Sequence, residues 1–174
     1  MNASTADDIK RLYLDGQWVE PENPLDVVDP ATGEVFAHVG TVDRARVAAA
    51  LASAQEAMAD WRRVPARQRG AYLTRIAEIL EGRSDEIART ITLENGKPLA
   101  QSKAEVAITV DHLQWFAAEC QRAYGRIVPS QSVTKRHMVL RVPIGVVGAI
   151  APWNFPLAIV TGMTSAALVA GNGV

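Results

Sequence analysis

The stretch Pro143-Ile-Gly-Val-Val-Gly-Ala-Ile-Ala-Pro-Trp-Asn-Phe-Pro-Leu157 decides how the rest of the chain is interpreted. It belongs to a segment without charged side chains, because none occurs between Arg141 and the C-terminus. An uncharged segment of this length is either a membrane span or a buried unit of strands and helix. Repeated prolines and glycines interrupt it, and a spanning helix would therefore leave backbone groups unpaired in lipid. We predict two strands covered on both faces, at residues 137–142 and 144–151.

The last thirty residues have the pattern of a β-α-β crossover that begins but does not finish. A helix is predicted from Pro156 to about Ala170, since proline is favoured in the first helical turn. The sequence Gly171-Asn-Gly173 then predicts a turn, and Val174 has the position of the first residue in a following strand. The predicted fold class is therefore α/β, with a parallel sheet that is truncated.

The region before this segment predicts a small antiparallel piece followed by a helical layer. Strands at 12–14 and 18–19 flank Asp15-Gly16, a hairpin signal, and a turn at 29–33 precedes a strand at 35–39. Apolar side chains then recur every three or four residues in four stretches, which predicts four helices. The first begins after Thr41 or Asp43, the second after Pro65, the third ends at Asn95-Gly96, and the fourth ends before Gly125.

Composition excludes several classes of function. The 174 residues are 48% hydrophobic with a formal net charge of -1, as in a soluble globular protein of one or two small domains. Acidic and basic residues are interspersed without a basic stripe, which argues against a nucleic-acid partner. One cysteine and three scattered histidines predict no metal site. The polar, acidic N-terminus lacks the features of a secretory or transit peptide, so we predict a cytoplasmic protein.

The uncharged stretch resembles the aldehyde dehydrogenase superfamily, in which the first strand of the cofactor domain ends in Pro-Trp-Asn-Phe-Pro, here Pro152–Pro156. Within the superfamily, residues 115–130 are similar to the succinate-semialdehyde dehydrogenase branch. The resemblance extends along nearly the whole chain, through Asp15-Gly-Gln-Trp18, Asp29-Pro-Ala-Thr-Gly-Glu34, Trp61 with Arg67 and Arg69, Glu94-Asn-Gly-Lys-Pro-Leu99, and Ala166-Ala-Leu-Val-Ala-Gly-Asn172.

This resemblance implies the N-terminal portion of the aldehyde dehydrogenase fold. Residues 1–132 would form strands and helices of the cofactor-binding domain, and 133–142 a bridging strand used in oligomerisation. Residues 143–174 would then start the Rossmann-like sheet. The resemblance also implies a small aldehyde substrate, with succinate semialdehyde preferred, NAD or NADP as cofactor, and a homo-oligomeric parent enzyme, either a dimer or a tetramer. The alternative is a non-catalytic subunit that associates with full-length relatives.

The resemblance assigns a catalytic role to Asn154. In the family, a cysteine thiolate adds to the aldehyde, and an asparagine amide helps to hold the resulting oxyanion. A neutral amide suits this task, since it donates hydrogen bonds to charge that develops in the transition state. The alternative is that Asn154 caps the helix near Pro156, where asparagine is favoured. The residues that would line the cofactor cleft, at the carboxyl end of the strand, are Ile150, Ala151, Pro152, Trp153 and Asn154.

Cys120 is the one thiol in the chain, and we predict that it is structural. It lies on the apolar face of the fourth helix, with no basic neighbour arranged to lower its pKa. In the family, the nucleophilic cysteine follows the asparagine, and the general-base glutamate and the cofactor-contacting lysine also lie further along the chain. By this resemblance all three lie beyond Val174, so the chain alone is predicted to be inactive.

Overall fold

The computed structural model describes residues 9–174, and its N-terminal part is built from short strands. Three of them form one sheet in the order β1-β5-β4, where β5 pairs in parallel with β1 and antiparallel with β4. The other two, β2 and β3, form an antiparallel hairpin. The bounds are β1 Ile9–Lys10, β2 Leu12–Leu14, β3 Gln17–Val19, β4 Asn23–Val28 and β5 Val35–Thr41.

The predicted hairpin is confirmed, and its turn has the expected backbone. Asp15 and Gly16 both adopt positive φ angles, of 51° and 73°, as a two-residue turn between twisted strands requires. β4 was not predicted from the sequence. Its residues are almost all exposed and include Pro24, so it carries neither a buried alternation nor an apolar run.

Five helices follow, and the first four confirm the predicted helical layer. Asp43 caps α1, since its Oδ1 accepts a hydrogen bond from Arg46 N at 2.8 Å. Gly96 ends α3 in the left-handed conformation, with φ 76°. The bounds are α1 Arg44–Trp61, α2 Ala66–Gly82, α3 Ser84–Asn95, α4 Leu99–Glu119 and α5 Ala158–Val169, with a short 3-10 turn at Cys120–Arg122.

The core lies where α4 packs between the other helices. One buried cluster joins α2, α4 and α5, and the second joins α3 to α4. Two side chains from the first helices also bind the carboxyl end of α5: Trp61 Nε1 donates to Leu168 O and Arg69 Nε donates to Val169 O, both at 2.9 Å. The first cluster contains Leu73, Ala77, Val110, Leu113, Cys120 and Val169, and the second contains Ala88, Ile91 and Val106.

An exposed two-stranded ribbon follows α4. It pairs β6, Arg126–Val128, with β7, His137–Val139, in antiparallel register. The strand predicted at 137–142 is therefore shorter than expected, and β6 was not predicted. All six residues of the ribbon are exposed, and a ribbon without a buried face leaves no alternation to detect.

The strand predicted at 144–151 is wrong for this chain. Only one parallel bridge forms, between Val146 and Gly173, with Val147 N donating to Gly173 O at 2.9 Å. Ile144 and Ile150 are 88% and 90% exposed, so the segment is not covered on both faces either. A parallel strand needs hydrogen-bonded neighbours along its length, and residues 171–174 supply one neighbour at a single point.

The final helix is confirmed with a later start, because α5 begins at Ala158 and residues 156–157 form a turn. Its carboxyl end reaches the predicted turn through Gly171, which has φ 87°. Asn172 fixes that turn: its Oδ1 accepts from Ile144 N and Gly145 N, and its Nδ2 donates to Ala167 O. None of the helices within residues 9–174 is long and apolar enough to cross a membrane.

Candidate active site

Residues 152–157 form an exposed loop between the parallel bridge and α5, and we call it the 152–157 loop. Trp153 is 83% exposed and Phe155 is 43% exposed, although both side chains are large and apolar. Asn154 lies between them and is also exposed. The loop thus presents one polar amide between two aromatic rings.

Side chains at the connection between α3 and α4 bind the backbone of this loop. Asn95 Nδ2 donates to Trp153 O at 2.6 Å, and Lys97 Nζ donates to Asn154 O at 2.7 Å. The Lys97 ammonium also lies 4.6 Å from the centroid of the Phe155 ring, in a cation–π arrangement. Three consecutive residues of the loop are therefore bound by two side chains.

Glu105 joins the loop to α4 through a buried ion pair. Its side chain is fully buried, and its Oε2 lies 2.6 Å from Lys97 Nζ. Its other oxygen, Oε1, accepts from Leu157 N at 2.9 Å and from Ala158 N at 3.2 Å. The carboxylate therefore caps α5, where negative charge is favoured by the helix dipole.

An open groove of about 570 Å³ lies beside the loop, between α4 and α5. Phe155 forms one part of its wall, and the remaining lining side chains are mostly apolar. Apart from His112, no titratable side chain lines the groove. The lining residues are Ile108, His112, Trp115, Phe116, Phe155, Ala158, Ile159, Gly162 and Met163.

Two further side chains, Glu94 and Cys120, bear on the assignment of the site. Desolvation raises the pKa of the Glu94 carboxyl, next to Asn95, above its ordinary value. Cys120 is buried, and its thiol contacts Ala66 O at 3.2 Å and Ala117 O at 3.0 Å, which confirms the predicted structural environment. Within residues 9–174, no three His, Cys, Asp or Glu side chains converge where they could hold a metal ion.

The chain matches the aldehyde dehydrogenase family over residues 18–174. It belongs to that family. The matched range includes residues 152–156, on which the resemblance seen in the sequence rests.

Two curated relatives of this aldehyde dehydrogenase chain are named for semialdehyde substrates. The glutarate-semialdehyde dehydrogenase of Pseudomonas putida is 40% identical over 164 residues, which cover 93% of this chain and 34% of the relative. The NADP(+) succinate-semialdehyde dehydrogenase of Escherichia coli is 37% identical with the same coverage. The chain thus spans about a third of the length of the curated relatives it matches.

Solved structures of the family superpose closely on this chain. An aldehyde dehydrogenase from Brucella melitensis biovar abortus 2308 has a TM-score of 0.91 at 33% identity, over 94% of this chain and 34% of that one. A point mutant of the betaine aldehyde dehydrogenase of Staphylococcus aureus, solved in complex with NAD+, has a TM-score of 0.89 at 29% identity. It is matched over 93% of this chain and 33% of its own length. The α/β fold predicted as a part of the aldehyde dehydrogenase fold is confirmed by these matches.

The predicted site residues lie consecutively on the surface of this aldehyde dehydrogenase segment. Ile150 is 90% exposed, Ala151 is half-buried, and Pro152 and Trp153 are exposed. Asn154 does not cap α5, because the N–H groups of Leu157 and Ala158 at the start of that helix donate to Glu105 instead. The assignments to the oxyanion and to the cofactor stay predictions.

Sequence reasoning missed the side chains that hold the loop, Asn95, Lys97 and Glu105. The Glu94–Leu99 stretch was used only as the predicted end of the third helix and as part of the family resemblance. A signal for Glu105 was present, since Ser102, Glu105 and Thr109 share three- and four-residue spacing and form a polar row beside apolar positions of α4. All three are buried, and a buried carboxylate needs a partner.

Proposed function

We propose that this chain is the N-terminal third of an NAD(P)-dependent aldehyde dehydrogenase that oxidises an aldehyde to its carboxylate. The observation that carries the proposal is that the Asn154 side chain is exposed and does not cap a helix. Its side chain is exposed beside an open apolar groove, while Glu105 already caps the helix that Asn154 was the alternative candidate to cap. The amide is thus left available to a ligand, and its neighbour Phe155 lines the groove.

In the proposed reaction, a cysteine of the longer polypeptide attacks the aldehyde carbon and negative charge develops on the carbonyl oxygen. The Asn154 amide would donate a hydrogen bond to that oxygen. A neutral donor stabilises the developing charge more than it stabilises the uncharged carbonyl, so it lowers the barrier rather than only binding substrate. Preorganisation matters, because the donor must lie about 2.7–3.1 Å from the oxyanion.

The cofactor would lie against residues 150–154. Ile150 and Trp153 are 90% and 83% exposed, and two large apolar side chains exposed on one short segment would suit contact with the planar rings of a dinucleotide. Bound there, NAD or NADP would supply the acceptor for the hydride, and water would then cleave the resulting thioester to release the carboxylate and the cysteine thiol. Pro152 would restrict the backbone of this wall, of which Ala151 is also a part. In the full-length enzyme, a strand running on from the Val146 bridge would place the wall at the strand end where α/β sheets bind ligands.

The substrate is proposed to be a small aldehyde, and succinate semialdehyde is the first to test. Support comes from the semialdehyde dehydrogenases among the relatives. The groove beside Phe155 has no Lys or Arg in its described lining, so a substrate carboxylate would need a cationic partner from the rest of the longer polypeptide. If the full-length enzyme does not prefer succinate semialdehyde over an unbranched aldehyde without a carboxylate, this substrate is excluded.

Assembly is part of the proposal. In the β6–β7 ribbon, Ile127 is 81% exposed and Met138 is 71% exposed, and an uncovered apolar ribbon suits contact with another subunit. We propose that residues 133–142 bridge subunits of a homo-dimer or homo-tetramer in the cytoplasm. A non-catalytic subunit that joins full-length relatives would use the same ribbon. The nucleotide sequence after codon 174 separates the two, since a frame that continues to a cysteine and a glutamate favours the enzyme.

The proposed function is tested by expressing that full-length enzyme and measuring reduction of NAD or NADP with aldehyde. We expect Asn154→Ala to lower kcat by about 100- to 1000-fold, the cost of one oxyanion donor, while cofactor affinity stays within a few-fold. Equal losses in kcat and in cofactor affinity would point to a structural role instead. The 174-residue chain alone is expected to show no turnover with any aldehyde.

A further inference from the structure

The Lys97–Glu105 ion pair is buried more deeply than any other ion pair in residues 9–174. The Glu105 side chain is 0% exposed and that of Lys97 is 10% exposed, while the surface pair of Lys103 with Asp85 is 53% and 67% exposed. Taking two charges out of water is costly, and their attraction offsets that cost only when further hydrogen bonds satisfy both groups. Replacing a buried ion pair by an apolar pair of similar volume is often neutral or stabilising, so stability alone is a poor reason for this ion pair.

The position of the pair relative to Asn154 gives a better reason. Asn95 Nδ2 binds the carbonyl oxygen of Trp153, which belongs to the peptide plane before the Asn154 Cα. Lys97 Nζ binds the carbonyl oxygen of Asn154, which belongs to the plane after it. Since peptide units are planar, fixing both planes fixes the two backbone angles of Asn154. The direction of its Cα–Cβ bond is then fixed as well.

Glu105 supports the backbone around Asn154 through both of its carboxylate oxygens. Its Oε2 holds the ammonium that binds the Asn154 carbonyl, and its Oε1 binds the N–H groups of Leu157 and Ala158. One carboxylate thus orients Lys97 and anchors the start of α5, only a few residues beyond Asn154. The Phe155 ring lies against the same ammonium, which leaves Lys97 little freedom to turn away.

We propose that Asn95, Lys97 and Glu105 are positioning residues, which fix the backbone on both sides of Asn154 and so aim its amide. This inference rests on the proposed function of Asn154. None of the three needs to touch substrate or cofactor. Their effect on rate is exerted through the Asn154 amide, because a displacement of about 1 Å in a catalytic group can cost roughly 100-fold in rate.

A pair of variants separates positioning from plain stabilisation. Lys97→Met alone leaves the Glu105 carboxylate buried without its partner, so it should lower both stability and kcat. The double variant Lys97→Met with Glu105→Gln removes both charges and keeps a side-chain oxygen that can accept from Leu157 N and Ala158 N. We expect the double variant to regain most of the lost stability, yet to keep kcat at least about tenfold below wild type. Lys103→Met, which removes the exposed pair with Asp85, is the matched control and should change neither quantity.

The experiment measures kcat and KM of the full-length enzyme for these variants, in the wild-type background and with Asn154→Ala. If the pair acts through Asn154, the double variant lowers kcat in the first background but lowers it no further in the second. A wild-type kcat in the folded double variant overturns the inference, and so does an equal loss of kcat in both backgrounds. Failure of the proposed function would be seen in a different variant: Asn154→Ala alone would then keep the wild-type kcat.

Discussion

The Asn172 side chain links residues 144–145 to the carboxyl end of α5 by hydrogen bonds, and removing its amide should destabilise both parts. The side chain is 6% exposed. Its Oδ1 accepts from Ile144 N at 2.7 Å and from Gly145 N at 3.2 Å, and its Nδ2 donates to Ala167 O at 3.1 Å. Asn172→Ala therefore leaves two backbone donors and one acceptor without these partners.

The size of the effect follows from how far water can replace the amide. A buried polar group left unpaired costs about 1–3 kcal/mol. Ala167 O keeps a partner in the variant, because the backbone N–H of residue 172 also donates to it at 3.1 Å. Ile144 N and Gly145 N lose their acceptor, at positions that are only partly buried and that water can reach. We expect Asn172→Ala to lower the free energy of unfolding by roughly 1–3 kcal/mol in total.

The assay is urea unfolding of the 174-residue chain, followed by helical circular dichroism. With a slope of about 2 kcal/mol per molar urea, the midpoint should move to lower urea by roughly 0.5–1.5 M at unchanged slope. Asn154→Ala is the matched control, since it removes the same side chain from an exposed loop position and should change stability by less than about 0.5 kcal/mol. Equal midpoints for Asn172→Ala and Asn154→Ala would refute the reasoning.

Two further substitutions probe the contact of α2 with the end of α4. Gly70→Ala should cost about 1–3 kcal/mol of unfolding free energy in the same assay, since its Cβ would lie 2.6 Å from Ala117 O and 2.9 Å from Cys120 Sγ. Gly82→Ala, whose Cβ would have nothing within 4 Å, is its control, and an equal effect of both would contradict the packing argument. Cys120→Ser should change stability by no more than about 1 kcal/mol, because the hydroxyl can donate to the carbonyl oxygens that the thiol contacts, and should leave kcat of the full-length enzyme nearly unchanged. Loss of activity in a folded Cys120→Ser enzyme would show that the thiol takes part in the reaction.

The helical layer could be predicted from the sequence because its signals are local. The apolar spacing of α1 to α4 repeats within each helix, and the ends are marked by single residues such as Asp43 and Gly96. β4 and the β6–β7 ribbon could not be predicted in the same way. Their residues are mostly exposed, so no face of the strand is selected to be apolar.

In the candidate site, too, the residues with a local sequence signal could be predicted and those that depend on long-range contacts could not. Residues 152–156 were found because they are consecutive and their residue types are unusual together. The side chains that hold them were not found, because the contacts join distant parts of the chain, such as Asn95 with Trp153 and Glu105 with Leu157. A pattern within one helix reveals that Glu105 is buried, but its partners are set only when α5 packs on α4.

Residues 144–151 have the sequence pattern of a parallel strand, but in this structure they form only one bridge. Amide exchange should therefore separate the hydrogen-bonded N–H groups of this segment from the unbonded ones. Hydrogen bonds within residues 9–174 reach the N–H groups of Ile144, Gly145 and Val147, through Asn172 and Gly173. None reaches the N–H groups of 148–151. We expect 148–151 to exchange orders of magnitude faster than Leu113 in the core of α4, in the 174-residue chain. In the full-length enzyme, parallel neighbours would pair with this strand, and the same four amides should become slow. Slow exchange at 148–151 in the short chain would mean that the apolar stretch finds its partners within residues 1–174, against the single bridge at Val146.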